Sequence, residues 1–479
     1  MRKMTCTGEI RFLLRTVPAC FQNFQVQACL GFSEVPIKFP RSSMTYNRNT
    51  SFDNEKKQGM TEEVSEKIKT FSSLKYANFR YLFTGTTLSN ASQWLMQVTL
   101  SWLVYDITGS GTMVGIVNML RSISALIMIP FAGILIDRLS HRKILLLNNS
   151  WLFTITLTIA LLLIFGYDSM VFILAFSFLG GFARTIDNAL RQVLIFGLLP
   201  RTHTPNGMAL IQTGWSLMRS FGPAIGGFLL AWSGAGGNFL IQSSIYVLIM
   251  ITIMRIKFPE RKVVQAGVSN IENIKEGLRY IKKERTIQVF MVLGFTLPLL
   301  VVPIYTILPP IYAAEVFGDP SGTTQGLLMA AVGVGGIFGG FVTASLGNFE
   351  RRGMLQVGAM FMVSMSLIGF ALSDTLPLSL LFLAMSGFFE IIFLVTNQTM
   401  MQLAIPDEIR GRVTSAVNLN MAINPLGNMV IGIGSDLLGG PKGITIVFSC
   451  ILATVMILFL AFSSTVRNYR LSTAIKNEI

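Results

Sequence analysis

The chain has 479 residues, 52% of them hydrophobic and only 13% charged, with a net charge of +14 at pH 7. That balance excludes a soluble globular domain and reads as a polytopic membrane protein with room for about twelve spans. It also argues against nucleic-acid binding, because in so apolar a chain the positive residues serve as cytoplasmic anchors under the positive-inside rule.

Residues 1–75 form a leader in which basic residues outnumber acidic ones and no apolar stretch is long enough to span. It lacks a clean apolar core and a small-residue cleavage site, which argues against a signal peptide. Two readings stay open: a disordered cytoplasmic tail, or a start codon placed too early, with Met44 or Met60 as the true beginning. Residues 61–69 have the composition of a short surface helix. Cys6, Cys20, Cys29 and Cys450 form no disulfide framework or metal knuckle.

From Phe79 onward apolar runs alternate with short polar breaks at a pace that suits helices rather than barrel strands. The runs predict spans near 79–105, 112–136, 144–166, 169–196, 206–232 and 237–256, then near 287–313, 322–347, 354–373, 377–404, 413–438 and 443–465. Between the two sets lies the charged stretch 257–286, where Ile271, Ile274, Leu278 and Ile281 recur at helical spacing and predict an amphipathic helix on the inner membrane surface. Alternate loops differ sharply in charge. One set holds Arg138, Arg142 and Lys143, then Arg201, the linker, Arg351 with Arg352, and Arg410 with Arg412. The other holds Lys442 alone among acids such as Asp106, Asp168, Glu315, Asp319 and Asp374. This bias puts both termini and the linker in the cytoplasm.

One constant offset brings Gly181 onto Gly387, Arg184 onto Glu390, Gln192 onto Gln398, Pro200 onto Pro406 and Gly226 onto Gly432. With the span count and the long middle loop, this predicts an all-α membrane protein of twelve transmembrane helices in two six-helix bundles, 76–256 and 287–465, followed by a cytoplasmic tail at 466–479. Such repeats suit a rocking transporter with its site between the halves.

The fifth span carries RSFGPAIGG (219–227) and the eighth GVGGIFGG (333–340). Gly222 and Gly226, Gly335 and Gly339, and Gly336 and Gly340 are small-xxx-small pairs, with Pro223 and Gly227 completing the first element. They read as close helix packing, which is also what a pivot between bundles requires.

An ionisable residue inside a span costs roughly 2.5–3.5 kcal/mol on insertion scales and usually faces a cavity or a partner. Here these are Arg121, Arg184, Asp187, Arg191, Arg219 and Glu390, with Asp436 nearer a helix end. Arg184, Asp187 and Arg191 are spaced to share one helix face, so Asp187 can pair with either arginine. A structural ion-pair ladder and a substrate site both fit that spacing. Glu390 has no cation near it in sequence and sits among Phe388, Phe389, Ile391 and Ile392. It reads as a site for a proton or other coupling ion, or as a carboxylate locked by an arginine of the other half. The repeat predicts that arginine to be Arg184. Asn90, Gln93, Trp94 and Gln97 on the first span, and Asn397 and Gln398 on the tenth, are candidates to line a cavity and are equally suited to interhelical hydrogen bonds.

The turn between the second and third spans reads GILIDRLSHRK (133–143). Its Gly133, Asp137, Arg138, Arg142 and Lys143 place a carboxylate at a helix end beside a cationic loop, either a topology marker or a gating contact. The stretch resembles the loop signature of the major facilitator superfamily, G-x-x-x-D-[RK]-x-G-x-[RK]-[RK], with Ser140 where that family usually has Gly. The GP-x-x-GG element resembles the fifth-helix motif of drug and proton antiporters, with Met218 in place of a Gly. At LRQVLIFGLLPRTHTPNGMALIQTGWSLMRSFGPAIGG and IPDEIRGRVTSAVNLNMAINPLGNMVIG the chain is similar to the branch holding enterobactin exporters and macrolide efflux proteins, a resemblance that covers about 76–465. The second half's counterpart of the signature, GNFERRG (347–353), keeps Arg351 and Arg352 but has no Asp at its start.

The resemblance implies a monomeric, multi-pass inner-membrane transporter of the major facilitator fold, without cofactor, exporting a bulky small molecule such as a drug or siderophore, usually against a proton gradient. An enzyme is disfavoured, since only His141 and His203 are present and there is neither a phosphate-binding loop nor a metal-ligand cluster. The alternatives are an importer or facilitator of a small metabolite, or a membrane sensor that carries nothing.

Overall fold

The computed structural model describes residues 71–258 and 279–469, apart from 201, 320, 347–348, 407–408, 410–412 and 414–422. The leader with its 61–69 helix, most of the predicted amphipathic linker helix, and Arg201, Arg410 and Arg412 lie outside the described residues. Ile281, the last apolar position of that linker pattern, is buried.

The described residues are helix and turn, with no strand among them. The helices are α1 (Ala77–Thr108), α2 (Gly111–Arg138), α3 (His141–Ile164), α4 (Met170–Leu198), and a continuous stretch Thr204–Arg255 that Gly234 divides into α5 (204–233) and α6 (235–255). They continue with α7 (Arg285–Val316), α8 (Thr323–Ser345), α9 (Arg352–Leu372), α10 (Leu376–Leu403), α11 (Asn424–Leu437) and α12 (Pro441–Phe462). Each falls on an apolar run that predicts it, with α11 covering the second half of the 413–438 run, whose first half lies mostly outside the described residues. Nine helical stretches among the described residues are long and apolar enough to cross a membrane, Thr204–Arg255 counting as one of them. The 32-residue α1 is not in that set because Thr86, Ser89, Asn90, Ser92, Gln97, Thr99 and Ser101 are buried along it. Its polarity is turned inward, away from lipid.

The breaks have local causes. Gly109 ends α1 in the left-handed region at φ 60°, and the Ser110 side chain then caps α2 by accepting from the Met113 N–H. Gly234 has φ 67° and ψ 177°, a conformation that only glycine adopts without strain, so one apolar run becomes two antiparallel helices. Pro200 stops α4, because the residue before a proline is pushed out of the helical region. α7 departs from the plain span that its apolar run predicts: Pro298, Pro303, Pro309 and Pro310 remove four backbone donors, and π-helical turns occupy Leu297–Val301 and Tyr312–Val316.

Within the first half α1 packs on α5, α2 on α4 and α3 on α6; within the second, α8 and α9 both pack on α10 and α9 packs on α12. The halves meet along two seams, α5 against α8 and α2 against α11. Both seams lie toward the end of the molecule that carries the 109–110, 317–322 and 438–440 turns. At one, a Cβ on Gly227 would lie 3.0 Å from the Gly326 Cα. At the other, a Cβ on Gly115 would lie 2.7 Å from the Asn428 carbonyl oxygen. Backbones this close leave no room for a side chain. The same end is tied by polar contacts. The Asp436 carboxylate of α11 accepts from the Gly111 N–H at 2.7 Å, the Thr112 N–H at 3.0 Å and the Ser110 hydroxyl at 2.6 Å. Tyr105 donates to Glu315 at 2.6 Å, and Gln325 Nε2 donates to the Val98 carbonyl at 3.1 Å. A carboxylate on the N-terminus of α2 satisfies free N–H groups and opposes the helix dipole, a contribution of about 0.3–1 kcal/mol in exposed settings.

A Gly326→Leu substitution is expected to force the halves apart at this end. Spin labels on Thr108→Cys and Leu438→Cys, in a background without native cysteines, should report a longer and broader distance distribution; an unchanged distance refutes the seam.

Candidate functional site

Two buried clusters collect the ionisable residues of the span interiors. The first joins the halves. Arg219 of α5 donates through Nη2 to both carboxylate oxygens of Glu390 on α10, at 2.8 and 2.7 Å. Glu390 is 3% exposed and Arg219 16%, so the pair is largely cut off from water. The Trp215 ring lies one helical turn back with its centroid 5.6 Å from the guanidinium carbon, a cation–π contact worth about 0.5–2 kcal/mol. Tyr305 of α7 is within electrostatic reach of both charges, and its hydroxyl pairs with the Ser386 hydroxyl of α10 at 2.5 Å. The contact that the repeat predicts between Arg184 and Glu390 is therefore absent. Glu390 is answered instead by Arg219, the arginine that opens the glycine motif of the facing helix, while Arg184 is turned toward α1.

The second cluster lies inside the first half. Asp187 of α4 is fully buried and accepts from Arg191 Nε at 2.7 Å, from the Ser89 hydroxyl of α1 at 2.8 Å and from Asn149 Nδ2 of α3 at 3.0 Å. Of the two arginines open to it from sequence, it pairs with Arg191. Arg184 donates Nη1 to the Ser89 carbonyl and hydroxyl, each at 3.0 Å, and Nη2 to the Gln93 side-chain oxygen. On α2, Arg121 donates Nη2 to the Gln97 side-chain oxygen, and Gln97 Nε2 donates to Asn118 at 3.1 Å and Ser101 at 3.0 Å. Serine, asparagine and glutamine from α1, α2 and α3 thus hold the arginines of this half in place, with Arg191 alone ion-paired to Asp187.

The remaining candidates separate. Gln93 and Gln97 join the arginine network, whereas Trp94 packs its Cβ against Gly222 of α5, where an added Cβ would approach to 2.7 Å. Asn90 is buried, Asn397 donates weakly to Met401 Sδ at 3.9 Å, and Gln398 is exposed. Gly226 meets Leu95 of α1, Gly335 and Gly339 meet Ala384 and Phe388 of α10, and Gly336 and Gly340 face Ile391. Those glycines close each half on itself. Of the fifth-helix motif, Gly227 is the glycine that faces the other half, and it stands one turn beyond Pro223, itself buried. In the loop signature, Gly133 lies in the last turns of α2, Asp137 and Arg138 end that helix, and Ser140 precedes α3. Arg142 and Lys143 are exposed in the first turn of α3, and Arg142 reaches the Met254 carbonyl of α6 at 3.4 Å. The turn is only two residues long without a glycine, because Leu139 and Ser140 both take extended backbone.

Sequence reasoning passed over Ser89, Asn118, Asn149, Tyr305 and Ser386. Small hydroxyl and amide side chains in apolar runs were the available signal, one shared with many simple helix contacts. Outside the spans, burial works against the Asp319 carboxylate, yet hydrogen bonds from the side chains and N–H groups of Ser321 and Thr324 bring it down to about 2. It stays ionised and organises the turn into α8.

Long apolar helices with their interior charges gathered between them, as in the described residues, define a multi-pass membrane protein in class. The model of the transmembrane secretion effector family matches residues 68–473, and the chain belongs to that family within the major facilitator superfamily. It is 24% identical over 369 residues to the staphyloferrin A transporter of Staphylococcus aureus, covering 75% of this chain and 90% of that one. It is 25% identical over 370 residues to the multidrug efflux pump Tap of Mycolicibacterium fortuitum (75% and 89%), and 23% identical over 365 residues to the enterobactin exporter EntS of Shigella boydii (76% and 84%). Among solved structures, a D-xylose–proton symporter superposes with a TM-score of 0.64 at 13% identity, covering 83% of this chain and 99% of that one. An inward-facing, occupied bacterial homologue of the lysosomal transporter Spinster gives 0.66 at 14% identity, with 83% and 99% coverage. The chain is a transporter and not an enzyme.

Removing one member of a buried ion pair leaves the other uncompensated and costs about 3–5 kcal/mol. Asp187→Asn is therefore expected to lower the thermal unfolding midpoint of the detergent-purified protein strongly, and Asp187→Asn with Arg191→Leu to recover part of the loss; equal midpoints for wild type and Asp187→Asn refute the assignment.

Proposed function

We propose that this chain is a proton-coupled exporter of a bulky small molecule, of the drug or siderophore class, working by alternating access. Its two six-helix bundles, 76–256 and 287–465, rock about the α2–α11 and α5–α8 seams, with both termini in the cytoplasm. The observation that carries this reading is the Arg219–Glu390 pair, which links a helix of one half to a helix of the other and is almost without water. A carboxylate in such a place is stable ionised only while the guanidinium stays beside it. When the halves tilt, separation raises the cost of its charge, and uptake of a proton removes that cost. Protonation of Glu390 thereby becomes tied to the position of the bundles, which is what coupling requires.

Export is favoured over import by the likeness to the exporter and efflux proteins named above. The seams are closed at the end which the charge bias assigns to the outside, and that closure supports a reading in which loading takes place from within.

Glu390→Gln is expected to abolish pH-gradient-driven efflux while leaving expression and membrane insertion intact. The measurement is accumulation of labelled drugs and siderophores in inside-out vesicles with an imposed pH gradient; unaltered gradient dependence in the variant rules the coupling role out.

A further inference from the structure

We infer that the transported molecule carries an oxyanion, a carboxylate or a group of like charge and geometry, and that Arg121 and Arg184 bind it. This rests on the exporter reading and names the substrate class of its site.

The argument starts from a charge count in the span interiors. Between 76 and 256 the acids other than Asp187 are Asp106, Asp137 and Asp168, each at a helix end or in a turn. In the second half Glu390 is the matching interior acid. Against these two carboxylates stand four interior arginines: 121, 184, 191 and 219. Arg191 is taken by Asp187 and Arg219 by Glu390. Arg121 and Arg184 have no carboxylate within ion-pair distance among the described residues; their partners are the neutral Gln97, Asn118, Gln93 and Ser89. Asp187 is the nearest relief for Arg184, but its oxygens are already engaged by Arg191, Ser89 and Asn149. The two arginines stand on closely packed turns of α2 and α4, where a Cβ on Gly181 would lie 2.5 Å from the Arg121 carbonyl oxygen.

An uncompensated guanidinium in a low-dielectric interior is costly, and two side by side cost more. A purely structural network would not be built with a surplus of positive charge, since an amide or hydroxyl in place of either arginine would hold the same helices together. The surplus is useful for a ligand that brings the missing negative charge. The donor geometry agrees. Arg121 Nη1 and Arg184 Nε are buried without an acceptor among the described residues, although each side chain as a whole is only partly buried. Each guanidinium thus has a free donor beside nitrogens already anchored. Arginine's rigid fork suits a carboxylate, and neutral side chains that fix part of the fork orient the rest without cancelling its charge. Arg191 also keeps a buried donor without an acceptor, its Nη2, but it is 4% exposed and its charge is answered by Asp187, so it is a clamp rather than a ligand contact.

The test uses two dyes on one xanthene scaffold, fluorescein, a dianion at neutral pH, and tetramethylrosamine, a cation, titrated by fluorescence polarisation against the purified full chain in nanodiscs without any gradient. Fluorescein is expected to bind saturably and tetramethylrosamine not. Arg121→Gln and Arg184→Gln should each weaken fluorescein by about ten- to a hundredfold, and Arg184→Lys, which keeps the charge but loses the fork, should weaken it less than Arg184→Gln. A second readout separates binding from mere folding. Relieving the surplus charge should leave the unfolding midpoint of the empty protein unchanged or higher in the Gln variants, while the midpoint rise on adding fluorescein disappears. No fluorescein binding, equal binding of the cation, or Gln variants that melt lower and bind as before overturns the inference. Fluorescein bound through these arginines but never driven across vesicle membranes by a pH gradient would instead defeat the exporter reading and leave the anion site standing.

Discussion

A hydrocarbon layer offers a charge no solvent, so each ionised group inside it needs a partner supplied by the protein. That constraint orders the interior of this molecule. Asp187 and Glu390 each take one arginine, and the two pairs are built differently. Asp187–Arg191 lies within one helix at i,i+4 spacing and is held by serine and asparagine from two neighbouring helices, so it binds α1, α3 and α4 into one body. Arg219–Glu390 runs between the halves, where nothing but the partner's position keeps it intact. The same chemistry therefore serves rigidity in one place and, in the reading proposed above, a movable link in the other.

The two seams explain how the halves can be joined and still be free to tilt. Their closest approaches are glycine backbones, joined by a few hydrogen bonds and by apolar side chains such as Leu230 against Met329. In lipid no hydrophobic force holds helices together, and close backbone approach supplies dispersion without committing bulky side chains to one register. Asp436 at the start of α2 adds an electrostatic latch whose strength depends on distance from the helix end and falls away once the seam opens. Two arginines without carboxylate partners complete the picture, because they are the part of the interior that is electrically unfinished.

Much of the fold was legible in the residues themselves. Apolar runs placed the helices, Gly and Pro placed most breaks, and the charge bias of the loops supplied an orientation. The glycine motifs were legible as packing signals, but their partners were not: Gly222 and Gly226 serve contacts with α1, and the cross-seam approach falls to Gly227 with Gly326 and to Gly115 near Asn428. The repeat pointed to a partner for Glu390 on the opposite half and named the wrong arginine. Offset along the chain aligns equivalent positions, whereas an ion pair depends on which helices face each other, and α10 meets α5 there rather than α4.

The sequence by itself determined the environment, the helical class, the approximate helix limits and the list of charges that must be buried. Those follow from hydropathy, backbone hydrogen bonding and insertion cost, all of which act on local stretches of chain. Only the tertiary structure decided which charge answers which, which glycines touch, and which arginines are left over. Those are properties of side chains that lie far apart in sequence, and they arise only when the helices are set against one another.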